Sequence, residues 1–505
     1  MALSDAIWAS MEYSQIIMAV ICFFFLHRLS LSSGLPWNWP LVGMLPMMFL
    51  NFHRIYDKFT DILEMTNGVW FTDTDMLITA DSANVQHIMS ANVSNYPKGP
   101  ESKKIFDVFG DVLFNSDHDE WKHHRKMSHS IFNDRRFHHF TPVINRGVLE
   151  KGLIPILEQV SKEGLEVDLQ DIFERFMLDA TCLMLTGYDP GSLRNGFPNV
   201  PFSRAMDDAT EAIFVRHILP EKLWKLQKWL GIGQEKKMTR ARETLDDIAA
   251  DYIRKKQEQL RVSKDDDQEV FNTLRCFLTE DEAVGSTKHP YNVMRDTIIG
   301  LTFAGRDTVS VALAWFFWLL SENPLVESKI REELETNLSQ NEASKCRFFF
   351  DIEELNKLVY LRGALCETLR LFAPIPFQIR TTAKTDTLPS GHRIKAKTKI
   401  VLCTYAVGRM KSIWGEDCLE FKPERWVSEK GGIVIEPSNK FLAFSSGPRI
   451  CPGKELAFIR MKAVVAAIMH NYNIQVVKSH PVLPPTSIVL RLSMALKVKI
   501  TKRGD

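Results

Sequence analysis

FSSGPRICPGK, at Phe444 to Lys454, sets one cysteine inside a short run with two glycines, two prolines and an arginine. A free cysteine usually behaves as a small buried hydrophobe and asks nothing special of the backbone. Cys451 sits instead among residues that fix or free the chain, so the loop is built around it. The chain holds eight cysteines, and the others (Cys22, Cys182, Cys276, Cys346, Cys366, Cys403, Cys418) lie scattered, with no C-x-x-C pair. That spacing argues for a reducing compartment and against a disulfide framework or a structural zinc site.

Outward from that loop, 505 residues that are 45% hydrophobic are enough to bury a large core. The polar stretches VSKDDDQE (Val262 to Glu269) and SQNEASK (Ser339 to Lys345) are only loop-length, and there is no internal repeat. One large, mostly helical domain is the simplest organisation. Lys and Arg number 63 against 62 for Asp and Glu, so no basic excess points to nucleic acid.

At the N-terminus, Ile16 to Leu26 (IIMAVICFFFL) is continuously apolar, and weaker apolar sequence reaches back to Ala6. From Ala6 the segment just meets the roughly 20 residues that a bilayer requires. His27 and Arg28 follow it while Asp5 and Glu12 precede it, which by the positive-inside tendency leaves the bulk of the chain in the cytosol. No small-residue cleavage site follows. The sequence therefore predicts a single-pass anchor over residues 1–31 and a proline-rich hinge over 32–47, with one catalytic domain over 48–505.

Helical signals dominate the rest. Asn292 to Asn323 opens after Pro290, stops before Pro324 and is apolar nearly all round, so a central buried helix is expected there. Arg306 and Asp307 then fall near its middle, within AGRDT (Ala304 to Thr308). A buried carboxylate is costly unless it is paired or used. In CETLR (Cys366 to Arg370), Glu367 and Arg370 are three apart and share a helix face. FKPERW (Phe421 to Trp426) and WKHHR, with Trp121 and Arg125, complete the set.

Each motif alone is common, but their order and spacing are not. Together they resemble the cytochrome P450 family of haem-thiolate monooxygenases, from the anchor to the end of the chain. Phe444, Gly447, Arg449, Cys451 and Gly453 match the haem-binding loop F-x-x-G-x-R-x-C-x-G. Glu367 and Arg370 match the family's E-x-x-R pair, Pro423 to Trp426 its P-E-R-F/W element, Ala304 to Thr308 its oxygen-site motif, and Trp121 with Arg125 its W-x-x-x-R.

The resemblance implies a mainly α fold with small β-sheets and a haem b whose iron takes Cys451 as axial thiolate. A thiolate pushes electron density toward bound oxygen. A helix starting just after Cys451 would stabilise it through free N–H groups and the positive dipole end, with Pro452 at the first helical position. Gly447 would permit the turn, and Gly453 the close approach of the porphyrin. Arg449, Arg125, Trp121 and Arg380 are implied propionate contacts. On the other haem face, Gly305 would make room for O2. Thr308 would bond back to the Ala304 carbonyl and open the helix locally, and Asp307 with Thr308 would form the acid and alcohol pair of a proton relay. Glu367, Arg370 and Arg425 are implied as a structural ion network. Animal acyl hydroxylases that bind haem covalently carry glutamate at the position of Ala304, so alanine implies non-covalent haem.

YPKGPESKKIFDVFGD (Tyr96 to Asp111) and LTGYDPGSL (Leu185 to Leu193) are similar to the plant branch that hydroxylates fatty acids and long-chain alkanes, nearest its mid-chain alkane hydroxylases. Relatives of noroxomaritidine-synthase type oxidise alkaloids instead. Ala373 and Val309 depart from the branch, which more often has proline and threonine there. Phe106 to Phe114, Ala205 to Phe214, Ile299, Phe303, Ile375, Phe377 and Ile488 to Leu490 are the implied pocket. They are mostly apolar, as an apolar small-molecule substrate requires. The implied partners are O2, membrane lipid and NADPH-cytochrome P450 reductase at the endoplasmic reticulum, the reductase docking near Lys122, Lys126 and Lys454. Outside this class, a haem protein that binds or senses without turnover would share the fold but have no need of Asp307 and Thr308.

Overall fold

The computed structural model describes residues 44–72, 76–194, 196–262, 290–337, 349–477 and 487–503, with Met18, Cys22, Leu35, Thr273, Leu274 and Cys276 besides. Most of the expected anchor and of the hinge lies outside these residues.

Helices carry the fold. Those that build the site are α1 (Ile55–Met65), α2 (His118–Phe132), α3 (Leu169–Thr186), α4 (Pro201–Ile218), α5 (Glu221–Leu230), α6 (Gly233–Val262), α7 (Pro290–Glu322), α8 (Val359–Leu371) and α9 (Lys454–Asn471). The strands are short: β1 (Val69–Thr72), β2 (Met76–Thr79), β3 (Glu166–Asp168), β4 (Phe377–Thr381), β5 (Asp386–Thr387), β6 (Arg393–Ile394), β7 (Lys399–Cys403), β8 (Tyr472–Val476) and β9 (Lys497–Lys502). They form a four-stranded sheet in the order β1-β2-β7-β4, a three-stranded sheet β3-β9-β8 and the ribbon β5-β6. Among the described strands only β2 and β7 pair in parallel, Met76 opposite Lys399, as a connection of more than 300 residues allows.

The centre is α7, whose 33 residues would reach about 50 Å. It is long and apolar enough to cross a membrane, yet most of it is buried inside the protein. Its apolar surface is the core. It packs most extensively on α3, which Asp168 caps by accepting from the Gln170 N–H at 3.0 Å and Gly187 ends at φ 80°. The approach is close because of Gly305: a Cβ there would lie 2.9 Å from Thr181 Oγ1 of α3. This glycine therefore serves helix packing, a role that its motif did not announce.

The segment between Phe106 and Phe114 is fastened to α7 rather than hanging as a loop. The Asp111 N–H donates to Asp296 Oδ2 at 2.9 Å. Val112 fills the notch at Gly300, where a Cβ would come within 2.6 Å of its Cγ1. Phe377 does not join this region. It stacks on Tyr56 at 5.5 Å and meets Phe59 edge-on at 5.4 Å, so it belongs to the core between β4 and α1 rather than to the pocket.

Candidate active site

Cys451 follows a single 3-10 turn, Gly447–Arg449, in which Gly447 has φ 62°. Any side chain on Gly447 would run into the Met89 carbonyl, so the turn needs glycine twice over. The Cys451 N–H bonds the Phe444 carbonyl at 2.8 Å, which closes the loop. Helix α9 begins at Lys454 with Gly453 as its N-cap. Pro452 thus precedes the helix instead of opening it, a correction of the expected register. The Gly453 N–H reaches the sulfur, and Arg125 and Lys454 add positive charge near it; burial is nevertheless the largest influence and pushes the thiol up. Cys451 is also exposed by surface area. Both hold where a sulfur looks into an internal cleft, reachable yet crowded on its other sides.

Beside that cleft stands an unusual group of cations. Arg449 donates to Asp117 Oδ1 at 2.6 Å and to the Ser116 carbonyl at 3.1 Å, with its guanidinium 4.8 Å from the Trp121 ring. Arg125 donates to the Ile450 carbonyl at 2.6 Å. Arg380 is buried, bonds the Ile379 carbonyl at 2.8 Å and leaves Nε without a partner. Burial, and then Arg449, pull its pKa down to about 9. Lys98 donates to the Phe114 carbonyl and is driven down by burial and by Arg380 and Arg449. Asp117 is the carboxylate that faces Lys98, Arg380 and Arg449. Several cations against one carboxylate leave a surplus of positive charge, which the propionates of a haem would neutralise. The donor set fits the group. Lys98 and Asp117 are additions that no motif announced, although Lys98 stands between Pro97 and Pro100 in the YPKGP run.

Behind the loop, Glu367 is fully buried and saturated. It accepts from Arg370 at 2.7 and 2.8 Å, Arg425 at 3.2 Å, Trp426 Nε1 at 2.8 Å and the Lys422 N–H at 3.0 Å. Arg370 also donates to the carbonyls of Gly408, Cys418 and Glu420. A line of rings, Trp426 to Phe441 at 4.7 Å, Phe441 to Phe444 at 6.2 Å and Phe444 to Phe458 at 5.4 Å, connects this network to the cysteine loop and α9.

On α7, Thr308 Oγ1 donates to the Ala304 carbonyl at 2.8 Å, while the helix runs unbroken through it. The expected local opening is absent. Asp307 is paired: its Oδ1 lies 2.7 Å from Arg306 Nη1 and 3.2 Å from Arg491 Nη2. Its Oδ2 is buried with no hydrogen-bond partner. The arginines also meet Asp207 and Glu174, so five charged groups share one space that opens to solvent at Asp207. Glu174, Asp207 and Arg491 come from distant sequence and belong to no motif. One turn before Asp307, Phe303 stacks on Phe109 at 4.6 Å and meets Phe114 at 5.8 Å, with Phe106 at 6.4 Å from Phe114. His217 touches Phe106 at 5.5 Å, and burial pulls its pKa to about 3, so the imidazole is neutral.

The cytochrome P450 family model matches residues 33–500 of this chain. The chain is a cytochrome P450. It is 43% identical to the alkane hydroxylase MAH1 of Arabidopsis thaliana, over 97% of this chain and 99% of that one. It is 39% identical to noroxomaritidine synthase of Narcissus aff. pseudonarcissus MK-2014 over the full length of both, and 36% identical to cytochrome P450 86B1 of Arabidopsis thaliana over 97% and 90%. Members of the family are monooxygenases that bind haem iron through a cysteine thiolate, use O2 and electrons from a redox partner, and take hydrophobic substrates.

Proposed function

We propose that this cytochrome P450 hydroxylates a long apolar chain, an alkane or a fatty acyl chain. The observation that carries the substrate class is the ring cluster of Phe106, Phe109, Phe114 and Phe303 beside the oxygen-site motif, with a neutral His217 against Phe106. Such a wall holds methylenes by dispersion, and Lys98, the cation 5.9 Å from the Phe114 ring, already donates to the Phe114 carbonyl. The nearness to an alkane hydroxylase supports it.

Cys451 would hold the iron, Lys98, Arg380, Arg449 and Arg125 the propionates, and Trp121 the edge of the porphyrin. Bound haem supplies the activation of O2. The chain supplies protons: Asp307 Oδ2, which has no bond to break, gains and loses a proton, and the Thr308 hydroxyl passes it on by turning from the Ala304 carbonyl. Residues 1–31 would anchor the protein in the endoplasmic reticulum membrane with this domain in the cytosol, where NADPH-cytochrome P450 reductase reaches the Cys451 side.

Cys451→Ala should lose the reduced carbon monoxide band of a thiolate-ligated haem; an unchanged band would reassign the ligand. Microsomes given a long-chain alkane, a long-chain fatty acid and a phenolic alkaloid should hydroxylate one of the first two. Turnover of the alkaloid alone would favour the second reading, oxidation of an alkaloid, for which the full-length likeness to noroxomaritidine synthases speaks. Removing residues 1–31 should release protein from microsomes with the haem spectrum kept.

A further inference from the structure

Glu174 lies on α3, outside every motif, and meets the proton-relay carboxylate only through the two arginines that hold it. Arg306 Nη2 is 3.1 Å from Glu174 Oε2, and Arg491 Nη1 is 3.6 Å from Oε1. The same arginines bind Asp207 Oδ1 at 2.9 and 2.8 Å, and Asp307 Oδ1 at 2.7 and 3.2 Å. The charged groups facing Glu174 are thus Arg306 and Asp307 from α7, Asp207 from α4 and Arg491 from the C-terminal segment. Ser203 of α4 adds a hydroxyl to Arg306 at 2.7 Å. Arg460 of α9 meets α3 two turns further on, at Thr181.

Two guanidinium groups face three carboxylates here, and Arg306 and Asp307 are fully buried. With all three acids ionised, one negative charge would be left over in a cluster that meets solvent chiefly at Asp207, so the cluster is cheapest with one proton aboard. That proton belongs on the carboxylate with the poorest bonds. Asp207 has two short arginine contacts and some solvent, and Asp307 has one contact at 2.7 Å. Glu174 has the longest contacts of the three, and its Oε1 has no hydrogen bond at all. Burial raises its pKa to about 7, against the pull of Arg491 and Arg306.

We propose that Glu174 is a positioning residue for Asp307, setting by its own protonation how firmly Arg306 and Arg491 hold that carboxylate. With Glu174 neutral, both guanidinium groups turn to the aspartates and Asp307 is held. With Glu174 ionised, Arg306 Nη2 and Arg491 Nη1 are drawn to it, the grip on Asp307 Oδ1 slackens, and Asp307 is free to turn toward Thr308. This rests on the reading of Asp307 as the proton relay.

The test uses the full-length, haem-loaded protein in detergent. Infrared difference spectra across a unit either side of pH 7 should show a protonated carboxyl band lost on raising pH in the wild type and missing in Glu174→Gln. This readout is independent of turnover. Product formed per NADPH should rise several-fold over the same range in the wild type and stay at its low-pH value in Glu174→Gln. Asp207→Asn, which removes one competing acid, should move both transitions to lower pH, and it serves if Glu174→Gln does not fold. A carboxyl band that survives in Glu174→Gln overturns the proposal, and so does a wild-type coupling profile in that variant. Asp307→Asn separates the two failures. If it too couples like the wild type, the relay reading falls; if it loses coupling while Glu174→Gln does not, only the role of Glu174 falls.

Discussion

Two of the buried charge clusters, one around Glu367 and one around Asp307, are built to opposite rules. Around Glu367, two arginines, an indole N–H and a backbone N–H saturate one carboxylate. Around Asp307, two arginines serve three carboxylates, and polar atoms are left over: Asp307 Oδ2, Glu174 Oε1 and the Nε of both Arg306 and Arg491 have no hydrogen bond. A saturated network has one arrangement and holds backbone carbonyls from distant segments in place, whereas an unsaturated one has alternatives of similar energy and can change state. The first suits retention of the fold, the second proton movement. The cations near Arg380 form a third case, a surplus of charge that awaits an anionic partner.

Breaking the saturated cluster should have the largest effect. Glu367→Gln or Arg370→Ala leaves a buried charge without its partner, and a loss of about 3–5 kcal/mol is expected. The yield of soluble haem-loaded protein and its melting temperature measure it, and a variant of normal stability would erase the contrast. Asp307→Asn should leave stability and haem spectrum near wild type while product formation falls on the order of 100-fold, the scale of a lost general acid. Thr308→Ala should likewise keep its haem but divert electrons to hydrogen peroxide.

Arg380→Met sharpens the third case. Replacing a buried cation that must share Asp117 with Lys98 and Arg449 should stabilise the haem-free protein by about 1–3 kcal/mol, while haem is lost faster to an acceptor globin. A haem-free variant less stable than wild type would mean that the charge is already compensated. A smaller effect follows from Glu174. Its folded pKa, about 7, stands above its ordinary 4.5, so the native state holds a proton that the unfolded chain releases. Stability is therefore lost as pH rises from the lower value to the higher one. Glu174→Gln should melt above the wild type beyond pH 7 and lose that advantage below 4.5. Least affected should be reduction by the reductase when Lys122, Lys126 and Lys454 are changed to alanine: a few-fold slowing that salt removes, because Lys122 and Lys126 are exposed and act by steering.

Much of this was legible in the chain. The cysteine loop, the E-x-x-R pair and the long apolar helix each depend on residues close in sequence, where turn geometry, helix spacing and patterning act directly. Prolines at 290 and 324 bracket α7 within a residue or two of its observed ends. Thr308 and Ala304 are one helical turn apart, so their bond follows from spacing alone. Gly305 was legible as a special position but its packing role was not, because the side chain it avoids belongs to Thr181, more than a hundred residues away.

The sequence by itself determined the family, the loop that carries Cys451 and the helix that carries Asp307 and Thr308, since local backbone rules and short periodicities are written in neighbouring residues. Only the tertiary structure decided which charges meet. Glu174, Asp207, Arg306 and Arg491 come from four segments, and Lys98, Asp117, Arg380 and Arg449 from three more, so neither their pairing nor their imbalance is visible before the segments pack. Whether a buried charge is satisfied depends on burial and distance, and both are properties of the fold.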